Sequence, residues 1–456
     1  MKLRRLLSLA LALLLLAGAA PFARAEDGFA EVDARAALLV DAGTGEILYE
    51  KNARAKNYPA SITKVMTALL VLEAADAGTL RLDQEITARE SAFEGLASDG
   101  STANIKAGET MTVENLLNCL LIVSANEAAQ ILAEAVSGNV VDFVARMNAR
   151  AAALGCADTH FVNPSGLHDD DHYTSAWDVY LITREALGHE AFAEIVARKS
   201  YTVPETNVSK ARELHSTNYL VSTWRAVGYY YADARGVKTG STPEAGYCLV
   251  ANAVRGGREL ISVVLGAERV KREDGVTETR SFSETIRLFD HGFNDFKRME
   301  LVRADELICE VPVELSGEAN YVVARPAEGL TRMVPVGLSP DELEREIALD
   351  APSVDAPVAE GDVLGSLTVS RGGTVYGTVP LVALNGVSAS WLLTKEREVR
   401  AFFAQAWVRY ALFGAAALVI GIAALGVAAR RSTRRYRGRR GGRYHYTGYR
   451  GRKRQR

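Results

Sequence analysis

The chain has 456 residues and a net charge of −3, which conceals an uneven distribution of charge. Of its 53 Lys and Arg residues, 13 lie in the segment 430–456 and four before residue 26, whereas none of the 56 acidic residues lies there. The body between them carries about 20 net negative charges, which argues against binding of nucleic acid by the body. This body, of about 385 residues up to residue 410, is long enough for two domains.

The N-terminus predicts a secretory signal. Three basic residues precede an apolar run that extends from Leu6 to Ala20, and Ala23-Arg24-Ala25 supplies a cleavage site with small residues. This order is typical of a signal peptide over residues 1–25. The alternative is an uncleaved membrane anchor, for which the apolar run is short.

The first elements of the body are a hairpin and a helix that carries two reactive side chains. Residues 37–40 and 46–49 flank a Gly-rich turn. Residues 61–75 have apolar positions at helical spacing, so we predict a helix that begins at Ser61. Lys64 lies one turn later on the same face, where a neutral amine can take the proton of a serine hydroxyl. Taken alone, Ser61 is better explained as a helix N-cap.

A second pair of polar side chains interrupts an apolar helical region. The pattern predicts helices over 113–123 and 126–136, with a break at Ser124. Ser124 and Asn126 lie at this break, an unusual place for polar side chains unless they line a cleft. Ser124 can then pass a proton to a leaving amine, and Asn126 can hold both a substrate amide and Lys64. A plain junction that uses Ser as a cap is the alternative.

The order of the elements predicts the architecture of the first domain. Helices over 140–154 and 175–187 complete a helical segment. Strands over 247–254 and 260–265 follow, and residues 283–296 return to helical spacing. The strands before and after the helical segment are expected to share one sheet, with the helices as a separate lobe. The fold class is therefore predicted to be α+β.

A third motif, Lys238-Thr239-Gly240, lies at the edge of a predicted strand. Its lysine and threonine offer a charge and a hydroxyl to a substrate carboxylate, and its glycine lets a peptide approach as an added strand. The backbone N–H of Ser241, paired with that of Ser61, can form an oxyanion hole. If this motif is considered alone, an ordinary turn without a binding role explains its residues better.

The sequence contains two groups of residues of types that often bind metals. In both groups, structural roles are favoured over a metal site. His168, the Asp residues 169–171 and His172 cluster in a loop, where solvated and capping roles are favoured over a metal site. The Cys residues at 119, 156, 248 and 309 match no zinc or C-x-x-C spacing. Two of them lie in apolar segments, which favours buried free thiols over a disulfide. We expect no metal and no cofactor.

The C-terminal part predicts a second domain and a membrane anchor. Short apolar runs separated by Gly, Pro and Asp predict a small β-rich domain over 299–390. Residues 391–410 mix charged and aromatic side chains, as in a helix that lies near lipid head groups. Residues 411–429 carry no charge and span about 28 Å as a helix, just enough to cross a bilayer.

The segment 430–456 predicts the orientation of this anchor. Its positive charge is expected to keep it in the cytoplasm and to leave the body outside the cell membrane. Contact with anionic lipid is favoured over binding of RNA, although mixtures of Arg, Gly and Tyr also suit single strands.

Three motifs, taken together and in this order, favour a catalytic role for the reactive residues over the structural alternatives. Ser61-Ile62-Thr63-Lys64, Ser124-Ala125-Asn126 and Lys238-Thr239-Gly240 begin 63 and then 114 residues apart, and each alone occurs by chance in many proteins. Together they supply a nucleophile, a base, a proton relay and an anion clamp, the signature of penicillin-binding proteins and serine β-lactamases. Asn163-Pro164-Ser165-Gly166-Leu167 and Ala245-Gly246-Tyr247 extend the likeness. Over about residues 30–390, the chain resembles the serine-type D-alanyl-D-alanine carboxypeptidases of peptidase family S11, the low-molecular-mass penicillin-binding proteins.

The resemblance implies a fold and an activity. It implies a β-lactamase/D,D-peptidase-like domain over 26–298, an antiparallel sheet with a helical lobe, followed by the small β domain and one transmembrane helix. Members of the family remove the terminal D-alanine from peptidoglycan stem pentapeptides through an acyl-enzyme, and β-lactams acylate the same serine. Stem peptides, β-lactams and the membrane are thus the expected partners.

The resemblance also implies roles for individual residues. Ser61 resembles the nucleophile, Lys64 its base and Ser124 the relay, whereas Asn126 and the segment 238–241 would bind substrate. Ala125 and Glu127 stand where the family commonly has Gly and Asp, which removes no reacting group. An arginine directly before the Phe of the last helix is expected, but Arg280 is displaced by one position from Phe282 and carries the role only weakly.

The sequence also bears on three functions other than that of a carboxypeptidase. A class A β-lactamase needs an E-x-x-L-N segment, which the sequence between Asn126 and Lys238 lacks. A noncatalytic wall-binding protein is disfavoured because every reacting side chain is present. An endopeptidase that cuts peptide cross-links shares all three motifs, so the sequence leaves that alternative open.

Overall fold

The structure is a computed structural model that describes residues 29–96 and 100–438, with side chains as far as residue 431. The described residues divide into two compact units. The first comprises the described residues up to Asp305 together with Glu328–Ala348 and Leu367–Val379, and the second comprises Glu306–Ala327, Leu349–Ser366 and the described residues from Pro380 onward. The predicted signal over 1–25 and residues 439–456 of the predicted tail lie outside the described residues.

A five-stranded sheet joins strands from both sides of the helical segment. The strands before residue 280 are β1 (Ala36–Asp41), β2 (Ile47–Lys51), β3 (Glu85–Thr87), β4 (Thr110–Thr112), β5 (Ser200–Val203), β6 (Arg212–His215), β7 (Ala234–Thr242), β8 (Gly246–Arg255), β9 (Arg258–Ala267), β10 (Arg269–Lys271) and β11 (Thr277–Thr279). The sheet has the order β2-β1-β9-β8-β7, and its neighbours are antiparallel. The expected shared sheet is confirmed, and β7, which carries the third motif, is an edge strand.

The predicted hairpin is confirmed and its turn is organised by a buried carboxylate. Asp41 ends β1 and is fully buried. Its Oδ1 accepts hydrogen bonds from the backbone N–H groups of Gly43 and Thr44 and from the guanidinium of Arg298. A buried carboxylate requires such partners, because its desolvation is otherwise costly. The turn is thereby held to a strand that lies 257 residues further along the chain.

The helical lobe contains the predicted helices with one change at the first. The helices before residue 300 are α1 (Lys64–Asp76), α2 (Val113–Ile122), α3 (Asn126–Ser137), α4 (Val140–Ala153), α5 (Ala176–Leu187), α6 (Glu190–Ala197) and α7 (Arg280–Asn294). The sequence predicts one continuous helix from Ser61, but a 3-10 turn (Ala60–Thr63) precedes α1. Tightening of a helix terminus to i→i+3 bonds is common, and spacing of apolar residues does not reveal it. Helix α6 was not predicted, since its eight residues are too few for a clear period.

Side-chain caps and one glycine fix the helix ends. Thr112, Asn139 and Ser175 precede α2, α4 and α5, and each side chain accepts a hydrogen bond from a backbone N–H of the first turn. Gly138 ends α3 in the left-handed conformation, with a φ of 80°. These local signals explain why the sequence predicts the boundaries of these helices within a few residues.

Two hydrophobic cores cover the faces of the sheet. One core packs α1 to α6 against one face and includes Leu38, Val40, Val250 and Val263. The other packs α7 against the opposite face and includes Leu39, Leu249 and Phe289. Successive residues of β1 alternate between the two cores, as a strand between two layers requires. Helix α1 has buried residues on nearly all its faces, which is typical of a central helix.

The chain after α7 contains strands, as predicted. These are β12 (Phe296–Val302), β13 (Cys309–Glu314), β14 (Tyr321–Pro326), β15 (Leu330–Pro335), β16 (Glu344–Leu349), β17 (Val354–Asp355), β18 (Val363–Arg371) and β19 (Thr374–Ala383). Strands β12 and β15 pair antiparallel, and the other six form a sheet of order β16-β18-β19-β14-β13-β17. The prediction of a β-rich C-terminal part is confirmed.

Two helices follow the last strand. Helix α8 (Trp391–Ala404) exposes Trp391, Phe402 and Phe403, the aromatic residues expected near head groups. Helix α9 (Ala406–Gly438) contains the stretch Ala406–Arg431, which is long enough for a membrane span and includes an 18-residue window with a mean hydropathy of 2.4. The predicted apolar helix is present and extends beyond the residues 411–429 that the sequence indicates.

The four cysteines are free thiols, as the sequence favours. Cys119, Cys156 and Cys248 are buried, and Cys309 is half-buried. Burial raises the pKa of Cys119 and Cys156 to about 12 and that of Cys248 to about 11. These three thiols therefore stay protonated and unreactive near neutral pH.

Candidate active site

Ser61 and Lys64 meet at the start of the central helix. Ser61 lies in the 3-10 turn, and Lys64 opens α1 with its side chain fully buried. The Lys64 Nζ lies 2.9 Å from the Ser61 Oγ, 2.8 Å from the Asn126 Oδ1 and 2.6 Å from the carbonyl oxygen of Ser165. The amine is thus held by a residue from each of three separate segments. The structure brings together Ser61, Lys64 and Asn126, as the sequence predicts.

The surroundings of Lys64 disfavour its charged form. Burial lowers the pKa of the Lys64 amine well below its usual value, because an ammonium loses its hydration there. The positive charge of Lys238 lowers this pKa further, whereas the negative charge of Glu127 raises it. A neutral amine beside a serine hydroxyl is the arrangement that a general base requires.

Ser124 lies in the short break between α2 and α3. Its φ of 65° is in the left-handed region, which is uncommon for a residue with a side chain. The Ser124 hydroxyl is buried and has no hydrogen-bond partner among the residues that the structure describes. A strained residue with a free buried hydroxyl is costly for stability, and such residues cluster at active sites.

Glu127 fixes the segment that borders this break. Its carboxylate oxygen Oε1 accepts hydrogen bonds from the Thr102 hydroxyl at 2.7 Å and from the N–H groups of Ala103 and Ile105 at 2.7 and 3.4 Å. The N–H of Asn126 donates to the carbonyl of Ser101. The side chain of Glu127 is buried, so these bonds offset its desolvation. The sequence marks Glu127 as a departure from the family and gives no sign of this role.

The third motif lies on β7. Lys238 is 1% exposed, and its Nζ donates to the carbonyl of Thr239 at 3.0 Å. Burial lowers the pKa of Lys238 to about 7. The hydroxyls of Thr239 and Thr217 are 2.8 Å apart. A cation and a hydroxyl on an edge strand suit an incoming carboxylate.

Gly240 brings this strand against the turn that carries Ser61. A Cβ at Gly240 would lie 2.9 Å from the carbonyl oxygen of Pro59 and 3.0 Å from the N atom of Ser61. The sequence predicts that this glycine lets a bound peptide approach. The structure shows that it lets β7 pack against the backbone of Pro59 and Ser61. Ser241 follows on the same strand with an exposed side chain. Its backbone therefore lies close to that of Ser61.

The loop of residues 163–167 completes the surroundings of Lys64. The sequence analysis uses this loop only as part of the resemblance to the family. The Asn163 Oδ1 accepts hydrogen bonds from the N–H groups of Ser165, Gly166 and Leu167, which curls the loop and aims the Ser165 carbonyl at Lys64. Gly166 has a φ of 83°, and a Cβ there would overlap the carbonyl of Ala60. The motif around Asn163 is the signal that could have identified this partner of Lys64.

His172 differs from the prediction of a solvated loop residue. It is 2% exposed, and its Nδ1 accepts from the N–H of Val162, so the other ring nitrogen carries the proton. That nitrogen lies 2.8 Å from the Thr63 hydroxyl. Burial lowers the pKa of His172 to about 4, so the ring adds no positive charge near Lys64 at neutral pH. The three Asp residues that precede it are exposed, as predicted.

Arg280 does not join these residues in the structure. It opens α7, and its guanidinium pairs with the carboxylate of Asp33. Among the residues that the structure describes, no group of three or more His, Cys, Asp or Glu side chains is arranged to hold a metal. The structure thus brings Ser61, Lys64 and Asn126 close to the segment 238–241, and Ser124 lies two residues before Asn126 in the chain.

The fold and the buried lysine beside a serine define a serine peptidase of the penicillin-binding type. Residues 21–269 match the family of D-alanyl-D-alanine carboxypeptidases called Peptidase_S11, and residues 296–389 match the C-terminal domain of penicillin-binding protein 5. The chain belongs to the S11 family of D-alanyl-D-alanine carboxypeptidases.

Named relatives and solved structures agree with this family. The chain is 31% identical to the carboxypeptidase DacF of Bacillus subtilis, over 79% of this chain and 88% of the relative. It is 30% identical to DacC of Escherichia coli, over 82% and 87% of the two chains. Penicillin-binding protein 5 of Haemophilus influenzae has a similar structure, with a TM-score of 0.63, 29% identity and coverage of 79% of this chain and 98% of that one. DacD of Francisella tularensis has a TM-score of 0.66, 27% identity and coverage of 82% and 98%.

Proposed function

We propose that the chain removes the terminal D-alanine from peptidoglycan stem pentapeptides through an acyl-enzyme on Ser61. The observation that carries the proposal is the buried Lys64 amine, 2.9 Å from the Ser61 hydroxyl and with a strongly lowered pKa. A neutral amine has two N–H groups and one lone pair. The carbonyl oxygens of Asn126 and Ser165 take the two N–H groups, which leaves the lone pair for the proton of Ser61.

Acylation then proceeds as a balanced transfer. Lys64 takes the proton of Ser61, and the Oγ attacks the carbonyl between the two D-alanines. The N–H groups of Ser61 and Ser241 stabilise the negative charge on the carbonyl oxygen. Ser124, whose hydroxyl is buried without a partner in the described residues, relays the proton from Lys64 to the nitrogen of the leaving D-alanine as the C–N bond breaks, so that Lys64 becomes neutral again. Water later releases the shortened peptide from Ser61.

Substrate binding depends on the edge strand β7. Lys238 and Thr239 receive the terminal carboxylate, and Asn126 holds an amide of the peptide as well as Lys64. Because the buried Lys238 has a pKa of about 7, a carboxylate beside it favours the charged form and pairs with it. Gly240 keeps the strand against Ser61, so the clamp and the nucleophile stay in register. Arg280 is left out of this scheme because it pairs with Asp33.

We further propose that β-lactams acylate Ser61, because their ring amide and carboxylate present the same two groups to the site. The carbonyl of the ring would meet the Ser61 Oγ, and the carboxylate would meet Lys238 and Thr239. Stable labelling by a penicillin is therefore expected of the folded chain.

The same proposal includes the placement of the protein in the cell. A signal over 1–25, a peptidase domain over 26–298, a β-rich domain over 299–390 and a linker over 391–410 precede the membrane span of helix α9. The apolar character of Ala406–Arg431 supports a single span. The basic residues that follow it support a cytoplasmic tail with the catalytic body outside.

D-alanine release tests the proposed activity. The full chain in detergent is incubated with diacetyl-L-Lys-D-Ala-D-Ala, with and without penicillin, and the Ser61→Ala variant serves as the control. We expect the chain to release D-alanine, and we expect both penicillin and the Ser61→Ala substitution to abolish this release. Absence of release together with stable labelling by penicillin would contradict a carboxypeptidase, and cross-linked muropeptides would then test an endopeptidase.

A further inference from the structure

The buried ring of His172 closes the base of the loop that supports Lys64. The loop of residues 163–167 supplies the Ser165 carbonyl, which lies 2.6 Å from the Lys64 Nζ. The N–H of Val162, directly before this loop, donates to the His172 Nδ1 at 3.1 Å. Because His172 follows the loop in the chain, this bond joins the segment that enters the loop to the segment that leaves it.

The other nitrogen of the ring reaches the turn that carries the nucleophile. The His172 Nε2 lies 2.8 Å from the Thr63 hydroxyl. Thr63 is 2% exposed, follows Ser61 by two residues and directly precedes Lys64. The ring therefore connects the base of the loop to the segment that holds both reacting side chains.

The neutral ring can make both hydrogen bonds at once. Burial lowers the pKa of His172 to about 4, so near neutral pH the ring has one N–H and one lone pair. The lone pair on Nδ1 accepts from Val162, and the N–H on Nε2 donates to the Thr63 hydroxyl. Both nitrogens of the buried ring thus have partners, and the two bonds fix its orientation.

A second hydroxyl holds the same loop one turn later. The Thr67 hydroxyl donates to the carbonyl of Pro164 at 2.6 Å. The turn and helix α1 therefore contact the loop through Thr63 and Thr67, and the Ser165 carbonyl lies between these two attachments in the chain. A displacement of about 1 Å at reacting groups can cost about a hundredfold in rate, so the attachments bear directly on the base.

We propose that His172 is a positioning residue for the reaction at Ser61, which holds the loop against Thr63 so that the Ser165 carbonyl stays on Lys64. The inference rests on the proposed function, in which Lys64 is the base. His172 neither transfers a proton nor binds the substrate in this scheme. Its loss should therefore lower kcat and leave KM nearly unchanged, because the carboxylate clamp lies on β7.

Two substitutions of Thr63 separate the hydrogen bond from the shape of the side chain. Thr63→Val keeps the shape and removes the hydroxyl, whereas Thr63→Ser keeps the hydroxyl. The full chain in detergent is assayed for release of D-alanine from diacetyl-L-Lys-D-Ala-D-Ala. We expect Thr63→Val to lower kcat by at least about tenfold and to change KM by less than about twofold. Thr63→Ser should keep kcat within about twofold of the unchanged chain.

Two substitutions of His172 test the same bond from its other end. The amide of Gln reaches about as far as the ring Nε2 and can donate to Thr63, whereas that of Asn reaches only as far as Nδ1 and can accept from Val162. His172→Gln should therefore retain most of kcat, and His172→Asn should lower it as Thr63→Val does. The double variant that combines Thr63→Val with His172→Asn should be no slower than either single variant, because both remove one bond.

Phe143→Leu is the control for a loss of stability alone. Phe143 belongs to the same hydrophobic core as Ile62 but lies on α4, so its truncation should lower Tm and leave kcat unchanged. If His172→Asn fails to fold, the two Thr63 variants decide the question.

Four results would overturn the proposal. These are an unchanged kcat in Thr63→Val, a loss that Thr63→Ser shares, a loss confined to KM, and a fall of kcat in Phe143→Leu equal to that in Thr63→Val. Failure of the unchanged chain to release D-alanine would instead overturn the proposed function.

Discussion

The pKa of Lys64 depends on its burial and on two neighbours of opposite charge. Burial and the cation of Lys238 lower its pKa, and the carboxylate of Glu127 raises it. Glu127 itself is held by three hydrogen bonds to the segment 102–105. A residue whose hydrogen bonds go to that segment therefore also influences the pKa of Lys64.

Glu127→Gln should shift the pH dependence of acylation. The base must be neutral, so the rate rises as pH increases through the pKa of Lys64. Removal of the negative charge lowers this pKa further, which moves the acid limb to lower pH. The measurement is the rate of labelling by a fluorescent penicillin between pH 4 and 8, in steps of about half a pH unit.

Glu134→Gln is the control for this variant, since Glu134 lies on the same helix and bonds Ser91 rather than the site. Its profile should match that of the unchanged chain. An acid limb that stays in place or moves to higher pH in Glu127→Gln would contradict the role of Glu127.

Lys238→Met should stabilise the fold and impair binding of a carboxylate. The folded pKa of about 7 lies below the usual value for lysine, so the folded state binds fewer protons than the unfolded chain between these values. Stability is therefore lost as pH falls from about 10 to about 7 and stays reduced below that. Replacement by Met removes this cost, so the rise in Tm should be larger at pH 6 than at pH 9.

Paired substrates measure the second effect of Lys238→Met. Its kcat/KM should fall by at least about tenfold for a D-Ala-D-Ala peptide with a free carboxylate, and much less for an analogue that ends in an amide. Equal losses for both peptides would argue against the clamp.

At the scale of elements, the site depends on how closely β7 and the 3-10 turn pack. The atoms that a Cβ at Gly240 would meet belong to the backbone of Pro59 and Ser61 and cannot rotate away. Gly166 packs its own backbone against Ala60. The turn that carries Ser61 is thus in contact with a strand and a loop that are distant from it in sequence.

Gly240→Ala should separate the strand from Ser61 and slow acylation by at least about tenfold, because a small displacement of reacting groups is costly. The rate of penicillin labelling checks this expectation, and circular dichroism checks that the fold persists. Gly337→Ala is the control, since a Cβ there meets nothing within 4 Å. Normal labelling by a folded Gly240→Ala variant would contradict the account of this contact.

The sequence predicts the elements well where the signals are local. The apolar period of α1, the caps at Asn139 and Ser175 and the order of the three motifs all depend on residues that are near in the chain. The Ser165 carbonyl on Lys64, the packing of Gly240 on Pro59 and the burial of His172 join segments about a hundred or more residues apart. Such contacts depend on tertiary packing, which spacing alone does not specify.

At the scale of the whole molecule, the ends of the chain differ in chemistry from the body. The body is acidic, whereas the segment after helix α9 is basic and has no acidic residue. Helix α9 exposes most of its large apolar side chains up to Val427, among them Phe413, Ile420 and Leu425. An exposed apolar helix beside a cluster of positive charge suits a membrane span that is fixed in orientation.

Two truncations test this anchor. A chain that ends at residue 405 lacks α9 and should leave the membrane after an alkaline carbonate wash. A chain that ends at residue 438 keeps the helix and should stay in the membrane fraction. Penicillin labelling of each fraction after gel separation locates the protein, and retention of both chains would contradict α9 as the anchor.

The central claim is that Ser61 is the acylated residue. Penicillin-treated protein is digested, and the adduct is located by tandem mass spectrometry in the unchanged chain and in Ser61→Ala. We predict one adduct, on the Oγ of Ser61, and none in the variant. An adduct on Ser124 or another residue, or one that persists in Ser61→Ala, would contradict the account.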